Sequence, residues 1–233
     1  MITIPATQFA RTLNEVHRFA TPDTTLPALH CVCFEIFADR LILIANDRFR
    51  LLAGTVPVAG EGGQGIDNTS IHRQTPETFT VDLDDCKALL KTMRSHKLTN
   101  QHCRAEITIK HTGGHAQFQI RDSHEIIGDY TEGQSAFPKW RSFLTGLENH
   151  TYTAISGAQV DGRPDLVIHA QTDAPRRRSL VTAAPNTGMN LVGIVMPMLT
   201  TEHFCVQDLL FNVGAVDEPA APATASEATP PAA

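Results

Sequence analysis

Residues 26–58, LPALHCVCFEIFADRLILIANDRFRLLAGTVPV, decide the fold. Three apolar runs follow one another here, and a polar break at residues 38–40 separates the first run from the second. In the first run, the even-numbered residues from His30 to Ile36 point to one side and the odd-numbered residues from Cys31 to Phe37 to the other. This period of two predicts a β-strand, and the polar break predicts a hairpin with the apolar run at 41–45. A third strand is expected at 49–56.

The same order of elements occurs twice, about 75 residues apart. A strand at 1–5 precedes a helix that we expect Thr7 to cap and that runs to about Phe19. A strand at 78–81 likewise precedes a helix at 83–95, for which Asp82 is the predicted cap. The three strands of the second repeat are predicted at 105–110, 115–120 and 125–130. A duplicated strand–helix–strand–strand–strand unit, with both helices on one face of antiparallel sheet, is an α+β fold.

The last third of the chain has strand patterns but no clear amphipathic helix. Strands are predicted at 152–155, 166–171, 179–184 and 191–195. Residues after Val213 are rich in Pro, Ala, Glu and Thr, a composition typical of disorder. We therefore expect a duplicated domain at 1–145, a shortened domain at 146–213 and a disordered tail at 214–233.

Composition excludes several classes of protein. The net charge of −6 argues against a general nucleic-acid coat, although a local basic surface is compatible with it. No window is long and apolar enough for a membrane span, and Met1 begins directly on a strand-like segment instead of a signal peptide. The five cysteines lie mostly on strand or helix patterns, which indicates reduced, buried thiols in the cytoplasm.

Three separated motifs resemble the bacterial DNA polymerase III β subunit, the sliding clamp. Residues 45–51 (ANDRFRL) stand where that family typically reads A-T-D-x-x-R-L. Residues 131–141 (TEGQSAFPKWR) resemble its E-G-x-F-P-x-Y-R element with a two-residue insertion, and residues 195–198 (VMPM) resemble its C-terminal V-M-P-M. The resemblance covers about 1–145 and 165–199. It implies the clamp domain, with helices toward DNA and sheet outward, followed by a C-terminal domain that lacks about half of its length.

The resemblance also implies a cleft that binds the short peptide motif of polymerases and repair proteins. Leucine and methionine side chains make an adaptable apolar surface, and arginine stems add a polar rim. The alternative is that the methionines only fill a core. The implied lining is Leu29, Asn46, Arg48, Phe49, Arg50, Leu51, Pro138, Phe143, Ile194, Met196, Pro197 and Met198.

Residues 207–211 (QDLLF) resemble the clamp-binding peptide itself. Gln207, Leu210 and Phe211 would be its anchors, so that the chain could bind its own cleft or that of another copy. The alternative is a terminal amphipathic element that completes the last sheet, because five-residue matches arise easily by chance.

Basic residues recur along both predicted helices. Arg11 and Arg18 lie on the first helix, and Lys87, Lys91 and Arg94 recur at i, i+4 and i+7 on the second. Such a surface would contact DNA phosphates without reading sequence, and its binding would be sensitive to salt. An ordinary solvated helix face explains the same pattern equally well.

Signals for catalysis or metal binding are weak. The eleven histidines form no zinc-ligand spacing with the cysteines, and the glycine-rich loop at 60–65 lacks the Lys-Ser/Thr of a phosphate-binding loop. We expect no enzyme activity, cofactor or metal. The leading hypothesis is a homo-oligomeric, DNA-encircling sliding clamp that binds polymerase and other partners carrying the peptide motif. The alternative is a non-encircling adaptor or decoy that binds these peptides without DNA, and an orphan enzyme that uses the histidines is the weakest option.

Overall fold

The computed structural model describes residues 1–59, 76–133, 136–144, 152–156, 166–171, 179–184 and 187–195. These residues all belong to one unit, Met1–Pro197. Every strand and both long helices that the sequence predicts within them are present, with ends that differ by at most a few residues. The elements are β1 (Ile2–Pro5), α1 (Ala6–Val16) with a 3-10 turn (His17–Phe19), β2 (Cys31–Ile36), β3 (Arg40–Asn46), β4 (Arg50–Pro57), β5 (Glu77–Asp82), α2 (Leu83–Ser95), β6 (Glu106–Thr112), β7 (His115–Ile120), β8 (Ile126–Thr131), α3 (Arg141–Leu144), β9 (Tyr152–Ser156), β10 (Leu166–Gln171), β11 (Ser179–Ala183) and β12 (Asn190–Val195).

The strands form two antiparallel sheets, and each repeat contributes to both. The four-stranded sheet has the order β1-β6-β7-β8, and the eight-stranded sheet has the order β5-β2-β3-β4-β12-β11-β10-β9. The first strand of each repeat therefore pairs with the other repeat: β1 with β6, and β5 with β2. Because of this exchange, neither sheet can be completed by one repeat alone. The sequence pattern predicted the duplication but not the exchange.

Aromatic side chains join the two sheets through α1. Phe9 of α1 contacts Phe34 of the eight-stranded sheet and Phe118 of the four-stranded sheet, with ring centroids 6.4 and 5.9 Å apart. All three side chains are fully buried, and Phe34 also stacks on Phe79 at 5.0 Å. The main core thus contains residues of both helices and of the inner faces of both sheets.

The two helices begin in different ways, and the prediction for the first is wrong. Pro5 occupies the N-cap position of α1, and no side chain caps it. The Thr7 hydroxyl instead lies 3.1–3.2 Å from the carbonyl oxygens of Leu98, Asn100 and Cys103, so that it ties α1 to the loop after α2. The prediction for Asp82 is confirmed, because its Oδ1 accepts a hydrogen bond from the Asp84 backbone N–H at 2.9 Å.

The last four strands extend the eight-stranded sheet across residue 145, the boundary expected from the sequence. β9, β10, β11 and β12 pair in sequence order, and β12 then pairs with β4. In that pairing Leu191 lies opposite Gly54, and Ile194 lies opposite Leu51. The division into domains at residue 145 stays a prediction.

Four of the five cysteines lie in the described residues, and all four are free thiols. Cys31, Cys33 and Cys86 are buried, and Cys103 is half-buried. Burial raises the pKa of Cys31 to about 12 and raises the pKa values of Cys33 and Cys86 as well. The predicted burial is therefore confirmed for Cys31, Cys33 and Cys86, and their reduced state stays a prediction. None of the described helices is long and apolar enough to cross a membrane.

Gly54 is required by the close packing of α1 on β4. A Cβ atom at this position would collide with Cγ2 of Thr12 and would lie 2.7 Å from Cδ2 of Leu191. We expect Gly54→Ala to lower the free energy of unfolding by about 1–3 kcal/mol, measured by urea denaturation, because an overpacked core must shift to admit the methyl group. Thr12→Ser removes the closest atom, so the double variant should recover part of the loss. Equal effects of Gly54→Ala with and without Thr12→Ser would contradict this assignment.

Candidate functional site

A second apolar cluster lies on the face of the eight-stranded sheet opposite the helices. Alternation along the strands separates it from the main core: Val32 and Phe34 belong to the core, and Cys33 belongs to this second cluster. We call it the outer cluster. Its buried members are Cys33, Phe37, Ile42, Ile44, Leu51, Ala53, Trp140 and Ile194, and Phe137, Phe143, Leu144 and Leu180 pack against them.

Segments far apart in the sequence meet at the outer cluster. Leu51 of β4 and Ile194 of β12 are directly opposite each other in the sheet, and α3, which contains Phe143, contacts β12. Leu51, Phe143 and Ile194, three of the residues in the implied peptide cleft, therefore belong to one cluster. Met196, Pro197 and Met198 lie outside the described residues, as do Gln207, Leu210 and Phe211 of the proposed internal ligand.

The turn between β3 and β4 is held by two polar side chains. Oδ1 of Asp47 accepts hydrogen bonds from the backbone N–H groups of Phe49 and Arg50, at 3.1 and 2.7 Å. Its Oδ2 accepts from Nε of Arg50 at 2.8 Å, and Oδ1 of Asn46 accepts from the Arg48 N–H at 2.7 Å. Residues 46–50 are thus fixed as a tight turn. Arg48 has a φ of +82°, a conformation that glycine adopts at lower cost.

The large side chains of the turn reach the protein surface. Arg48 is exposed, and Phe49 is 47% exposed. The Arg50 guanidinium lies 5.4 Å from the centre of the Phe19 ring. Asn46 is buried at the base of the turn. Leu29 is half-buried in the turn before β2 and packs against neither apolar cluster of the described residues, so the structure does not bring it to the others.

A buried carboxylate anchors the aromatic-proline segment, residues 136–144, to the sheet. Glu35 of β2 is only 5% exposed, and its Oε1 accepts hydrogen bonds from Nε1 of Trp140 and Nη1 of Arg141, both at 2.8 Å. The Arg141 guanidinium also lies 4.4 Å from the Trp140 ring centre and forms an ion pair with Glu35. The sequence pattern did not predict that Glu35 binds Trp140 and Arg141. The available signal was a single acidic residue within an otherwise apolar strand, because such a charge needs a partner when it is buried.

A cavity of about 320 Å³ lies beside this segment, on the side of β5. Among the described residues of the implied peptide cleft, Pro138 alone borders this cavity. Leu51, Phe143 and Ile194 lie instead on the side of β4 and β12. Its lining consists of Cys33, Glu35, Thr78, Phe137, Pro138, Lys139, Trp140 and Arg141.

Of the predicted basic residues, Arg11 lies on α1 and Arg18 on the 3-10 turn that follows it. Lys87, Lys91 and Arg94 lie on α2, which packs against α1. Arg11 and Arg94 border one cleft of about 210 Å³ between the helices, and Nη2 of Arg94 donates a hydrogen bond to Oδ1 of Asn14 at 2.9 Å. Lys91 and Arg18 are exposed. Lys87 is also exposed, and its Nζ lies 2.7 Å from Oδ1 of Asp84, so part of its charge is neutralised.

His17, at the end of α1, is affected by charges of both helices. Burial lowers the pKa of His17, and the nearby charges of Arg18 and Lys87 lower it further, against the opposing effects of the Leu13 carbonyl and Glu15. The start of α2 also carries the acidic side chains of Asp84 and Asp85.

Two interlocked strand–helix–strand–strand–strand repeats with two adjacent helices define the fold of DNA sliding clamps. Solved clamp structures are similar to this chain. The DNA polymerase III β subunit of Thermotoga maritima superposes with a TM-score of 0.53 at 13% identity. The match covers 85% of this chain and 65% of that subunit. The Pseudomonas aeruginosa sliding clamp with a ligand has a TM-score of 0.59 and 12% identity, and the match covers 85% of this chain and 66% of that clamp. The Bacillus subtilis sliding clamp has a TM-score of 0.54 and 11% identity, and the match covers 85% of this chain and 64% of that clamp.

The chain therefore has the α+β fold of bacterial sliding clamps, as the sequence motifs predicted, and it spans about two thirds of the length of these structures. No protein-family model and no curated protein sequence matches it. At such identities the likeness establishes the fold alone.

Glu35→Gln should release the aromatic-proline segment. The amide keeps one acceptor but turns an N–H group toward Arg141, so we expect a loss of about 2 kcal/mol in the free energy of unfolding. Trp140 is the only tryptophan, so its emission should shift to longer wavelength as the indole becomes exposed. Glu106→Gln is the matched control, because it removes a carboxylate from an exposed pair with Arg121 and should change neither quantity appreciably. Unaltered Trp140 emission in Glu35→Gln would refute the anchoring role.

Proposed function

We propose that this chain is a non-catalytic, clamp-like accessory subunit of a DNA polymerase in the cytoplasm. One side would bind short peptide motifs of partner proteins, and the opposite side would hold DNA. The observation that supports this most is the meeting of β4, β12 and the aromatic-proline segment on the outer face, while the basic helices lie on the other face of the same sheet.

The outer cluster has suitable chemistry for an extended peptide with a few apolar anchors. Leu51 and Ile194 form a buried apolar floor, Phe143 is half-buried beside them, and Val192 of the same strand is exposed. Met196, Pro197 and Met198 follow directly after β12 in the chain, so we propose that they complete the lining. Apolar anchors in such a groove supply most of the affinity, and the arginine-bearing turn supplies a polar rim.

Arg11, Arg18, Lys87, Lys91 and Arg94 form the proposed DNA face. Five cations on two packed helices can contact several phosphates at once, without base readout. Retention on DNA beyond this weak attraction needs a closed ring, and hence several copies of the chain.

The pairing of β4 with β12 leaves β4 without a free edge for a second copy of the chain. Within the described residues, β4 is occupied by a strand of its own chain, and the sheets end at β1, β8, β5 and β9. A second copy that associates by strand pairing with the described sheets would use one of these four edges. If no oligomer forms, the adaptor hypothesis takes precedence: a monomer that binds the peptides and not DNA. Gln207, Leu210 and Phe211 remain a proposed internal ligand of the same outer surface in either case.

Met196→Asp tests the peptide site. Placing a carboxylate in the apolar lining should weaken binding of a fluorescent Gln-Leu-x-Leu-Phe peptide at least about tenfold in an anisotropy titration, because the charge would be desolvated by the peptide. Ile126→Asp is the control, since Ile126 is an exposed apolar residue of β8 in the other sheet. Equal affinity of the Met196→Asp variant and the parent chain would remove the peptide site from consideration.

Charge reversal tests the DNA face. Lys91→Glu with Arg94→Glu should weaken binding to a DNA duplex about tenfold near 0.1 M salt and reduce the slope of affinity against salt. The control reverses Lys110 of β6 and Arg121, which follows β7, because both are exposed and border one cavity away from the two helices. A closed ring further requires a defined oligomer by light scattering and retention on nicked circular DNA that is lost on linearisation. Identical DNA binding by both double variants would exclude the helix face.

A further inference from the structure

A histidine and two aspartates meet where the second repeat begins its helix. His30 immediately precedes β2, Asp82 caps α2, and Asp84 lies in the first turn of α2. The backbone brings them together, because the Leu83 N–H donates to the His30 carbonyl at 3.0 Å and Cys31 lies opposite Asp82 in the sheet. None of these three residues has a part in the proposed peptide or DNA sites.

The orientation of the His30 ring is determined by a backbone carbonyl. Nδ1 lies 2.8 Å from the carbonyl oxygen of Thr21, which can only accept a hydrogen bond, so Nδ1 carries the proton. In the neutral ring, Nε2 then presents its lone pair. Histidines that bind metals are held in the same way, with one nitrogen donating to a carbonyl or carboxylate and the other on the metal.

Nε2 of His30 faces two carboxylates without a hydrogen bond. It lies 3.7 Å from Oδ1 of Asp82 and 3.9 Å from Oδ2 of Asp84, and the three ligand atoms all lie within 4.8 Å of one another. These separations are too long for hydrogen bonds, and within the described parts of the chain Nε2 has no other hydrogen-bond partner. His30 is only 5% exposed. A cation in the space between Nε2 and the two carboxylate oxygens would interact favourably with all three atoms.

From this geometry we infer a binding site for one divalent transition-metal ion, of which Zn²⁺ fits best. Ligand atoms around tetrahedral zinc lie about 3.4 Å apart. The two Nε2–oxygen distances therefore need to shorten by a few tenths of an ångström, and the two oxygens, which lie within 4.8 Å of each other, must approach by up to about 1.4 Å. The side chains of Asp82 and Asp84 are 52% and 70% exposed and can make that shift. One imidazole with two carboxylates favours Zn²⁺ over Mg²⁺ or Ca²⁺, which take oxygen ligands alone.

The contacts that the two carboxylates already make are compatible with this ion. Asp84 uses Oδ1 for Lys87 and leaves Oδ2 toward His30. Oδ1 of Asp82 accepts the capping hydrogen bond from the Asp84 N–H and keeps a second lone pair for the metal. A bound ion would join the loop before β2 to the start of α2, and so raise the melting temperature of the full chain.

Calorimetric titration of the full chain with Zn²⁺, supported by the visible spectrum of bound Co²⁺, tests the site. We expect one ion per chain, a higher melting temperature with Zn²⁺, and tetrahedral Co²⁺ absorption. Asp84→Asn should weaken the affinity at least about tenfold, since it removes a charged ligand. Asp82→Ser should do the same while a serine hydroxyl keeps the helix cap.

Asp85→Asn is the matched control, because Asp85 lies in the same first turn of α2 and outside the cluster. Its affinity for Zn²⁺ should equal that of the parent chain. The inference is overturned by the absence of stoichiometric binding, by binding that survives both Asp84→Asn and Asp82→Ser, or by equal losses in Asp84→Asn and Asp85→Asn. The last two results would place the ion at other histidines of the chain. Circular dichroism of each variant checks that the fold is retained.

Discussion

Backbone pairing between β4 and β12 is the constraint on which the candidate site depends. It places Leu51 opposite Ile194 and carries the chain to the edge of the outer cluster, next to the arginine-bearing turn. The pairing requires a residue without a side chain at Gly193, because a Cβ atom there would collide with the Leu51 carbonyl oxygen. Without this pairing, β9–β12 would have no attachment to the sheet of the first repeat, and the apolar floor would be incomplete.

The two faces of the eight-stranded sheet contact different parts of the chain, because side chains alternate along each strand. Along β2, Val32 and Phe34 enter the main core beneath the helices, while Cys33 and Glu35 face the aromatic-proline segment. Both faces are covered, so the strand is apolar throughout, and the single charge at Glu35 is tolerated because Trp140 and Arg141 satisfy it. A strand covered on both faces thus connects the outer cluster with the helix-bearing side through rigid structure.

Local chemistry explains how much of the fold the sequence could predict. Period-two alternation located β2 and β3, and the capping aspartate located the start of α2, because neighbouring residues determine these features. The exchange of β1 and β5 between repeats was not predictable, since pairing over such a distance leaves no local pattern. For the same reason Thr7 was assigned as a cap when its hydroxyl in fact contacts the loop after α2. The resemblance implied all the lining residues of the cleft, and of these the structure brings Leu51, Phe143 and Ile194 into one cluster but not Leu29.

Amide hydrogen exchange, followed residue by residue in β12 and in β3, is the most direct test of the central claim. If β12 is an internal strand between β4 and β11, its amides should exchange as slowly as those of β3 and lose protection only with global unfolding. Exchange of the β12 amides at the rate of an unstructured peptide, while β3 stays protected, would contradict the account.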